Sequence, residues 1–198
     1  MSKLIVKKII DSGSNINHRF IKDHNELKNI VETLKNMGYR IVLTQGVYDL
    51  IHEGHAAYLE VAKSEGDILI VGVDSDELTK KRKGPDRPIV PQDERIKMLV
   101  HLRHVDIVTI KEIHHGIGDL IKLLKPDVMV FSKSTKDIDS KMIKEYKDFC
   151  GKILVLPPQS KNTTTARIRN LAIDGAEKLA REMNRLTDGF LDKLRNSK

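Results

Sequence analysis

Several residue types are scarce in this chain, and each scarcity excludes a class of protein. Cys150 is the only cysteine among 198 residues, so neither an intrachain disulfide nor a cysteine-based zinc site can form. Tryptophan is missing and aromatic residues make up 4% of the sequence, which leaves few side chains for stacking nucleic-acid bases. The apolar runs reach only about five residues, too few to span a membrane, and lysines interrupt the apolar N-terminus. We therefore expect a cytoplasmic protein without a signal peptide or a membrane helix.

Positive charge is in excess, with 35 Lys and Arg residues against 28 Asp and Glu and a formal net charge of +7. Such a charge suits either nucleic acid or small polyanionic ligands. The lysines are spread over nearly every predicted helix, with one local cluster at residues 80–83, so solvated helix faces explain most of the excess. A hydrophobic content of 39% over this length predicts one folded α/β domain with a sizeable core.

Residues 41–63 are the stretch around which the chain is organised. A β-branched and apolar run ends at Gly46, a polar loop follows, and Gly54 opens an apolar segment of helical period, which predicts a strand, a glycine loop and a helix start. Free N–H groups and the positive end of the dipole make a helix N-terminus favourable for a phosphate. Protonated His52 and His55 would be disfavoured there unless a negative ligand compensated them. The stretch therefore indicates a phosphate site.

The remaining pattern predicts a doubly wound parallel sheet of five strands, because short returns link each strand to a helix and the next strand. The predicted strands are residues 40–44, 67–73, 106–110, 127–131 and 152–156. The predicted helices are 24–37, 55–65, 92–102, 118–124 and 141–149, with a further short helix capped by Ser75 or Asp76. A strand-like start, and a basic loop at 80–91 broken by Pro and Gly, complete the pattern. We divide the chain into an N-terminal extension (1–23), a core domain (24–170) and a C-terminal amphipathic helical extension (171–198).

The segment from Gly46 to His55, Gly-Val-Tyr-Asp-Leu-Ile-His-Glu-Gly-His, resembles the G-x-F-D-x-x-H-x-G-H signature of the cytidylyltransferase-like nucleotidyltransferases. It is most similar to the sugar-phosphate and polyol-phosphate branch, which includes heptose-1-phosphate adenylyltransferase and glycerol-3-phosphate cytidylyltransferase. The similarity extends over residues 38–170. It implies a Rossmann-like fold and an enzyme that transfers AMP or CMP from a nucleoside triphosphate to a phosphorylated sugar, polyol or alcohol and releases pyrophosphate.

Other segments extend the resemblance and imply the roles of further residues. Residues 83–89 look like the family's K-G-x-x-R-P-[IV] loop, and residues 163–169 look like its [IVT]-S-T-T-x-I-[RK] helix start. Arg95 matches the arginine of the family's E-x-R element. The resemblance implies catalytic roles for His52, His55, Lys83 and Arg95. It implies nucleotide binding by Gln45, Gly46, Val47, Tyr48, Asp49 and Gly54, and by Thr163, Thr164 and Thr165 at a second helix N-terminus.

The acceptor side is where the chain departs from its relatives. Asp74, in a V-D-S-D element, and Arg87 match acceptor-binding positions, and Lys133 resembles the mobile lysine of class I aminoacyl-tRNA synthetases. Residues 132–137 read Ser-Lys-Ser-Thr-Lys-Asp where heptose adenylyltransferases tend to carry a glycine-rich stretch. Without those glycines, we expect a change in which groups can approach the backbone of this loop closely. The sequence therefore leaves open both ATP against CTP as the donor and the identity of the acceptor.

The remaining expectations concern metal, partners and alternatives. Mg²⁺ would enter with the triphosphate, held largely by phosphates and water, and no side-chain metal site is expected because His114 and His115 lack a suitably spaced third ligand. The apolar stripe after Asn170 serves either intrachain packing or a homodimer or lid. Two alternative functions remain: a non-catalytic nucleotide-binding module, and nucleic-acid binding through the excess positive charge, which the shortage of aromatic residues disfavours.

Overall fold

The computed structural model describes residues 6–9, 15–133, 140–160 and 164–195. The chain divides into two compact units, residues 1–161 and 162–198. In the first unit, five parallel strands form one sheet in the order β3-β2-β1-β4-β5, which confirms the predicted doubly wound sheet. The strands are β1 (Ile41–Gly46), β2 (Ile68–Asp74), β3 (Ile107–Lys111), β4 (Val128–Ser132) and β5 (Lys152–Leu156).

Helices cover both faces of this sheet, as parallel sheets require. They are α1 (residues 6–9), α2 (Ile16–Arg19), α3 (His24–Asn36), α4 (Glu53–Lys63), α5 (Asp76–Lys83), α6 (Gln92–Val100), α7 (Asp119–Leu124) and α8 (Ser140–Tyr146). Leu34 of α3 and Leu120 of α7 belong to a buried cluster on one face, and Leu59 of α4 and Leu99 of α6 to a cluster on the other. Within the described residues, none of the helices is both long and apolar enough to cross a membrane.

The helix boundaries follow local signals in the sequence. The Asp23 side chain accepts a hydrogen bond from the Glu26 N–H at 2.7 Å, and the Ser75 hydroxyl accepts one from the Leu78 N–H at 3.2 Å, so both residues cap helices. The predicted capping by Ser75 is thus confirmed. Gly38 follows α3 with a φ of 89°, the left-handed conformation that suits glycine at a helix end.

Two predictions about local structure were wrong. Residues 6–9 are helical rather than strand-like, and residues 80–83 belong to α5 rather than to an irregular basic loop. The reason in the second case is that Pro and Gly all follow Lys83, so the basic run contains no helix breaker. Gly84, with a φ of 101°, ends the helix and donates its N–H to the Lys80 carbonyl.

The second unit contains α9 (Thr164–Arg195), one continuous helix. The predicted boundary between residues 170 and 171 falls inside it, while the division of the chain into the three predicted segments stays a prediction.

Candidate active site

The candidate site lies where the parallel strands end and the strand order reverses. β1 pairs with β2 on one side and with β4 on the other, so β1 forms the switch point at which open α/β sheets bind ligands. The loop after β1 leads into α4 and the loop after β2 into α5, so two helix starts follow adjacent strand ends.

His52 caps the N-terminus of α4. Its Nδ1 accepts a hydrogen bond from the Gly54 N–H at 3.1 Å, so the ring carries its proton on Nε2 when it is neutral. A Cβ atom at Gly54 would lie 2.6 Å from the Cβ of Ser160 and 2.9 Å from Cε1 of His52. Only glycine therefore lets the segment after β5 and the imidazole of His52 approach this helix start together.

His55 lies in the first turn of α4, with its ring centroid 4.2 Å from that of His52 and 5.6 Å from that of Tyr48. Its pKa is lowered to about 4, first by burial and then by the positive charges of His52 and Lys83, while Asp49 acts in the opposite direction. Its Nδ1 is buried and has no hydrogen-bond partner in the described part of the chain. His55 is therefore neutral near pH 7, and a bound polyanion would favour its protonation.

The loop between β1 and α4 has an unusual backbone. Tyr48 and Leu50 both have positive φ angles, 54° and 46°, a conformation that costs free energy for residues other than glycine. Asp49 lies between them and is buried. Its carboxylate accepts hydrogen bonds from the Ile89 and Val90 N–H groups at 3.0 and 2.9 Å. Through these two hydrogen bonds, the Asp49 carboxylate holds the distant segment 84–91 against the loop that follows β1.

The segment 84–91 and the end of α5 each bring one cation to the histidines. Arg87 forms an ion pair with Asp49, with Nη2 and Oδ2 2.9 Å apart, and its buried Nε has no hydrogen-bond partner among the described residues. Lys83 ends α5, and burial first, then Arg87 and Arg82, lower its pKa, while Asp74 and Asp49 oppose the shift. Of the predicted residues, His52, His55, Lys83, Arg87 and Asp49 therefore lie together.

Arg95 is buried in the wall of this crevice rather than exposed on α6. Its guanidinium donates to the Val90 carbonyl at 2.9 Å, the Val47 carbonyl at 2.5 Å, the Asp74 carbonyl at 3.0 Å and the Asp76 carboxylate at 2.6 Å. The alternative of a surface ion pair with Asp93 or Glu94 was wrong. With four protein acceptors satisfied, Arg95 joins the three loops that form the crevice, and its predicted catalytic role stays a prediction.

Asp74, a predicted acceptor-binding residue, is fully buried at the end of β2. It forms an ion pair with Arg82 at 2.5 Å, and the ammonium of Lys111, itself 1% exposed, lies 3.7 Å from its Oδ1. Sequence reasoning missed Lys111, although one signal was present: a lysine directly follows the apolar run of β3 at the same sheet edge.

The other predicted residues lie around this centre or outside it. The Gln45 side-chain amide donates to the Ile117 carbonyl at 3.1 Å, and a Cβ at Gly46 would lie 3.2 Å from the Tyr48 ring. Lys133 is exposed just after β4, where its N–H donates to the Leu156 carbonyl. Thr163 falls outside the described residues, as do the side chains of Thr164 and Thr165, whose backbone begins α9. The prediction that two helix starts face one polyphosphate therefore stays a prediction.

A separate cleft of about 380 Å³ opens between the starts of α5 and α6. Carboxylates dominate its lining, which comprises Ser75, Asp76, Glu77, Pro91, Gln92, Asp93 and Glu112. Because carboxylates repel phosphates, the crevice at His52 and His55 suits a triphosphate better than this cleft does.

A parallel sheet covered by helices, with a cationic crevice beside the reversal of strand order, defines an α/β nucleotide-binding protein. A model of the cytidylyltransferase-like family matches residues 43–170. The chain belongs to the cytidylyltransferase-like family, as the resemblance of residues 46–55 implied.

Individual relatives agree with this assignment. The bifunctional protein HldE of a Nitratiruptor species is 49% identical over 111 residues, 56% of this chain and 24% of that protein. HldE of Desulfatibacillum aliphaticivorans is 36% identical over 148 residues, 75% of this chain and 30% of that protein. The chain thus spans less than a third of the length of these two relatives.

Solved structures show the same architecture. The lipopolysaccharide core biosynthesis protein from Thermoplasma volcanium matches with a TM-score of 0.53 and 26% identity, covering 64% of this chain and 100% of that chain. Pantoate-beta-alanine ligase from Francisella tularensis matches with a TM-score of 0.55 over 77% of this chain and 72% of that chain. Its 17% identity supports the fold alone.

Proposed function

We propose that the chain is a nucleotidyltransferase that moves AMP or CMP from a nucleoside triphosphate to a phosphorylated sugar, polyol or alcohol and releases pyrophosphate. The observation that carries this proposal is the grouping of Arg87, which Asp49 holds in place, and of Lys83 beside the two histidines at the start of α4. Four side chains able to carry or share positive charge, next to a helix N-terminus, form a site for a polyphosphate.

The reaction needs little acid–base chemistry from the protein. The second pKa of a phosphomonoester is about 6, so its attacking oxygen is largely ionised near pH 7. An acceptor oxygen attacks the α-phosphorus, the bond to the bridging oxygen breaks, and pyrophosphate leaves with the electron pair. Catalysis then depends on positioning and on positive groups that stabilise charge on the α-phosphate and pyrophosphate.

Each residue of the crevice has a distinct part in this scheme. His52 presents Nε2–H because its Nδ1 caps α4, so it can donate a hydrogen bond to phosphate without a change of protonation. His55 gains a proton as the triphosphate approaches, because the ligand opposes the effects that depress its pKa. Lys83 and Arg87 neutralise the departing pyrophosphate, and Arg95 holds the loops on which they depend.

Mg²⁺ entering with the triphosphate would supply charge neutralisation. Phosphate oxygens and water would provide most of its ligands, so few protein ligands would be needed. The buried carboxylate of Asp49 already accepts from two backbone N–H groups and Arg87. The donor set of the crevice thus suits the phosphates of a magnesium complex more than the bare ion. Within the described residues, no three His, Cys, Asp or Glu side chains are grouped as a metal site.

We also propose a homodimer through α9 and a cytoplasmic location. Five large apolar residues of α9 are 60–75% exposed. Four of them, together with two alanines, recur at alternating spacings of four and three residues, the pattern of a coiled-coil seam. The seam consists of Ala172, Ala176, Leu179, Met183, Leu186 and Phe190. A second copy of the same helix would cover this seam. The single cysteine, which cannot form an intrachain disulfide, supports a reducing, cytoplasmic setting.

A pyrophosphate-release screen tests the proposed reaction. The full chain with Mg²⁺ is incubated with ATP, CTP, GTP or UTP against sugar 1-phosphates, glycerol 3-phosphate, phosphoethanolamine and phosphocholine. We expect release only with ATP or CTP and only when an acceptor is present. Nucleotide binding without release in every combination would identify a non-catalytic module instead, and salt-sensitive binding of DNA or RNA without turnover would identify a nucleic-acid-binding protein.

A further inference from the structure

The Tyr48 side chain is buried beside the crevice and has no part in the mechanism above. It is 5% exposed and belongs to the cluster that also contains Leu59 of α4 and Leu99 of α6. Because so little of the ring is accessible, a ligand in the crevice can touch hardly any of it. The side chain can therefore act on the reaction only through a residue that it contacts.

Two local features accompany the placement of this ring at the end of β1. Tyr48 has a φ of 54°, in the left-handed region that is disfavoured for a residue with a large side chain. Gly46, the last residue of β1, supplies the space, because a Cβ there would lie 3.2 Å from Cε2 and 3.5 Å from Cζ of the ring. Strained backbone of this kind is concentrated at functional sites. The position of the ring therefore points to a function beyond filling the core.

The residue that the ring contacts is His55. The two ring centroids are 5.6 Å apart and the ring planes are inclined by 57°, within the range of edge-to-face aromatic pairs. The other ring against His55 is that of His52, with a centroid distance of 4.2 Å. The orientation of His52 is itself fixed, because its Nδ1 accepts from the Gly54 N–H. Two rings that are held in place thus border the His55 imidazole.

His55 lacks the hydrogen bond that usually orients a functional histidine. In most such histidines, one ring nitrogen bonds to the protein, which fixes the ring and leaves the other nitrogen for the substrate. The Nδ1 of His55 is buried without a hydrogen-bond partner in the part of the chain that the structure describes. The orientation of this imidazole therefore depends on the rings packed against it.

The hydroxyl group of Tyr48 does not supply the missing hydrogen bond, because it is buried without a partner among the described residues. Burial first, and then Tyr58 and Asp74, raise the pKa of Tyr48 well above its ordinary value of 10. The Thr44 hydroxyl opposes this shift, but it is bonded to the Tyr58 hydroxyl at 2.7 Å. Tyr48 therefore keeps its proton and transfers none, which leaves the ring as the active part of the side chain.

We propose that Tyr48 is a positioning residue, whose ring holds the His55 imidazole in the orientation that binds the phosphates of the nucleotide. The catalytic consequence rests on the proposed nucleotidyl transfer, whereas the contact between the two rings does not. Because the ring acts and the hydroxyl does not, phenylalanine should replace Tyr48 and an aliphatic residue should fail to do so.

The titration of His55 is the first test, and it needs no turnover. Its pKa is measured by NMR on the full chain, with the signal identified by its loss in His55→Asn. In the wild type we expect a pKa of about 4, since burial, His52 and Lys83 together outweigh Asp49. Tyr48→Leu admits water to the imidazole and should raise this pKa above about 5, while Tyr48→Phe should leave it as in the wild type.

Turnover is the second test, measured by pyrophosphate release. Tyr48→Leu should lower kcat at least tenfold and change the nucleotide KM less than threefold, because Lys83 and Arg87 remain in place. Tyr48→Phe should keep both values within twofold. The control is Tyr146→Leu, since Tyr146 is a tyrosine of 4% exposure in the cluster on the other face of the sheet. It should lower the melting temperature as Tyr48→Leu does, without changing kcat or the titration of His55.

The outcomes separate this proposal from the proposed function. An unchanged titration of His55 in Tyr48→Leu, or an equal fall in kcat for Tyr146→Leu, would overturn the positioning role. Equal losses in Tyr48→Phe and Tyr48→Leu would show that the ring is not the active part. A wild type without turnover on any acceptor overturns the nucleotidyl transfer, and the titration then decides the role of the contact alone. If Tyr48→Leu fails to fold, Tyr48→Met takes its place, because methionine fills an irregular space more readily.

Discussion

At the scale of single residues, His55 couples the stability of the fold to pH. Its pKa falls from 6.5 to about 4 on folding, chiefly through burial, so the unfolded chain binds more protons between these values. The contribution of His55 to the free energy of unfolding is therefore fully present above pH 6.5. It is lost as the pH falls toward 4, and the loss is about 3 kcal/mol at most. We expect urea unfolding from pH 7 to 4 to show this loss for the wild type and a shallower decline for His55→Asn.

The control for this prediction is His101→Asn, because His101 is exposed at the end of α6. Its pH profile should follow that of the wild type. Parallel profiles for the wild type and His55→Asn would show that His55 does not carry the coupling.

His55 should also be needed for turnover. Removing one group that stabilises developing charge typically costs about a hundredfold or more in rate. We expect His55→Ala to lower kcat by that factor in the pyrophosphate-release assay, with little change in the free energy of unfolding at pH 7, where the ring is neutral. A rate close to that of the wild type would remove His55 from the proposed mechanism, and His101→Ala serves as the matched control.

We expect substitution of Arg95 to lower the stability of the fold, because its guanidinium is bound to protein acceptors. Arg95→Met would leave the Val47, Asp74 and Val90 carbonyls without their donor and uncouple Asp76, so we expect unfolding to become easier by about 3–5 kcal/mol. Arg95→Lys keeps the positive charge but lacks the planar guanidinium, so its free energy of unfolding should lie between those of the wild type and Arg95→Met. Urea unfolding measures both, with exposed Arg103→Met as the control. Wild-type stability with lost activity would instead indicate direct contact with substrate.

The roles of single residues depended on contacts that sequence reasoning could not provide. The cationic character of the site followed from local motifs, and His52 and His55 lie at a helix start as predicted. Asp49, however, binds N–H groups 40 and 41 positions away, and the guanidinium of Arg95 reaches a carbonyl 48 positions away. Such partners depend on how loops meet in space, and Lys111 was missed for the same reason.

At the scale of elements, the start of α4 depends on the absence of a side chain at Gly54. Gly54→Ala would place a methyl group 2.6 Å from the Cβ of Ser160 and 2.9 Å from Cε1 of His52, so the cap or the neighbouring segment must move. We expect a destabilisation of about 1–3 kcal/mol and a nucleotide KM raised at least tenfold. Thermal melting and the pyrophosphate assay measure the two effects.

The chain offers a matched control in α9. Nothing lies within 4 Å of a Cβ built at Gly175, so Gly175→Ala should stabilise the helix by about 1 kcal/mol and leave both KM values unchanged. If Gly54→Ala behaved in the same way, the close packing around the helix start would be irrelevant to binding.

Element types were largely predictable because each rests on local chemistry. The Ser75 cap, the glycine after α3 and the apolar runs of the five strands are all visible in the sequence. The prediction for residues 80–83 was wrong because it treated the Pro and Gly residues after Lys83 as acting on the run before them. Pro85 disfavours the helical conformation at Gly84, so these two residues end the helix after Lys83 without excluding residues 80–83 from it.

At the scale of the whole molecule, the strand order explains how the site is assembled. Five parallel strands could be predicted, but the order β3-β2-β1-β4-β5 depends on which edges pair, and side-chain periodicity carries no such information. The order puts β1 in the centre, so the loop with His52 and the loops after β2 and β3 open at one edge. The cationic crevice at the end of β1 therefore lies between the carboxyl ends of β2 and β4.

The exposed seam of α9 predicts the assembly of the molecule. If two copies pair through it, Leu186→Asp should place a charge at the seam and shift the protein from dimer to monomer in sedimentation velocity, because Leu186 is 75% exposed in the single chain and a partner would cover it. Asn184→Asp adds the same charge to the same helix off the seam and should leave the dimer intact. A monomeric wild type at concentrations of tens of micromolar, or an unchanged dimer for Leu186→Asp, would assign the seam to a different partner. Because the residues of the crevice all lie within residues 1–161, we expect the monomeric variant to retain the nucleotide KM of the wild type.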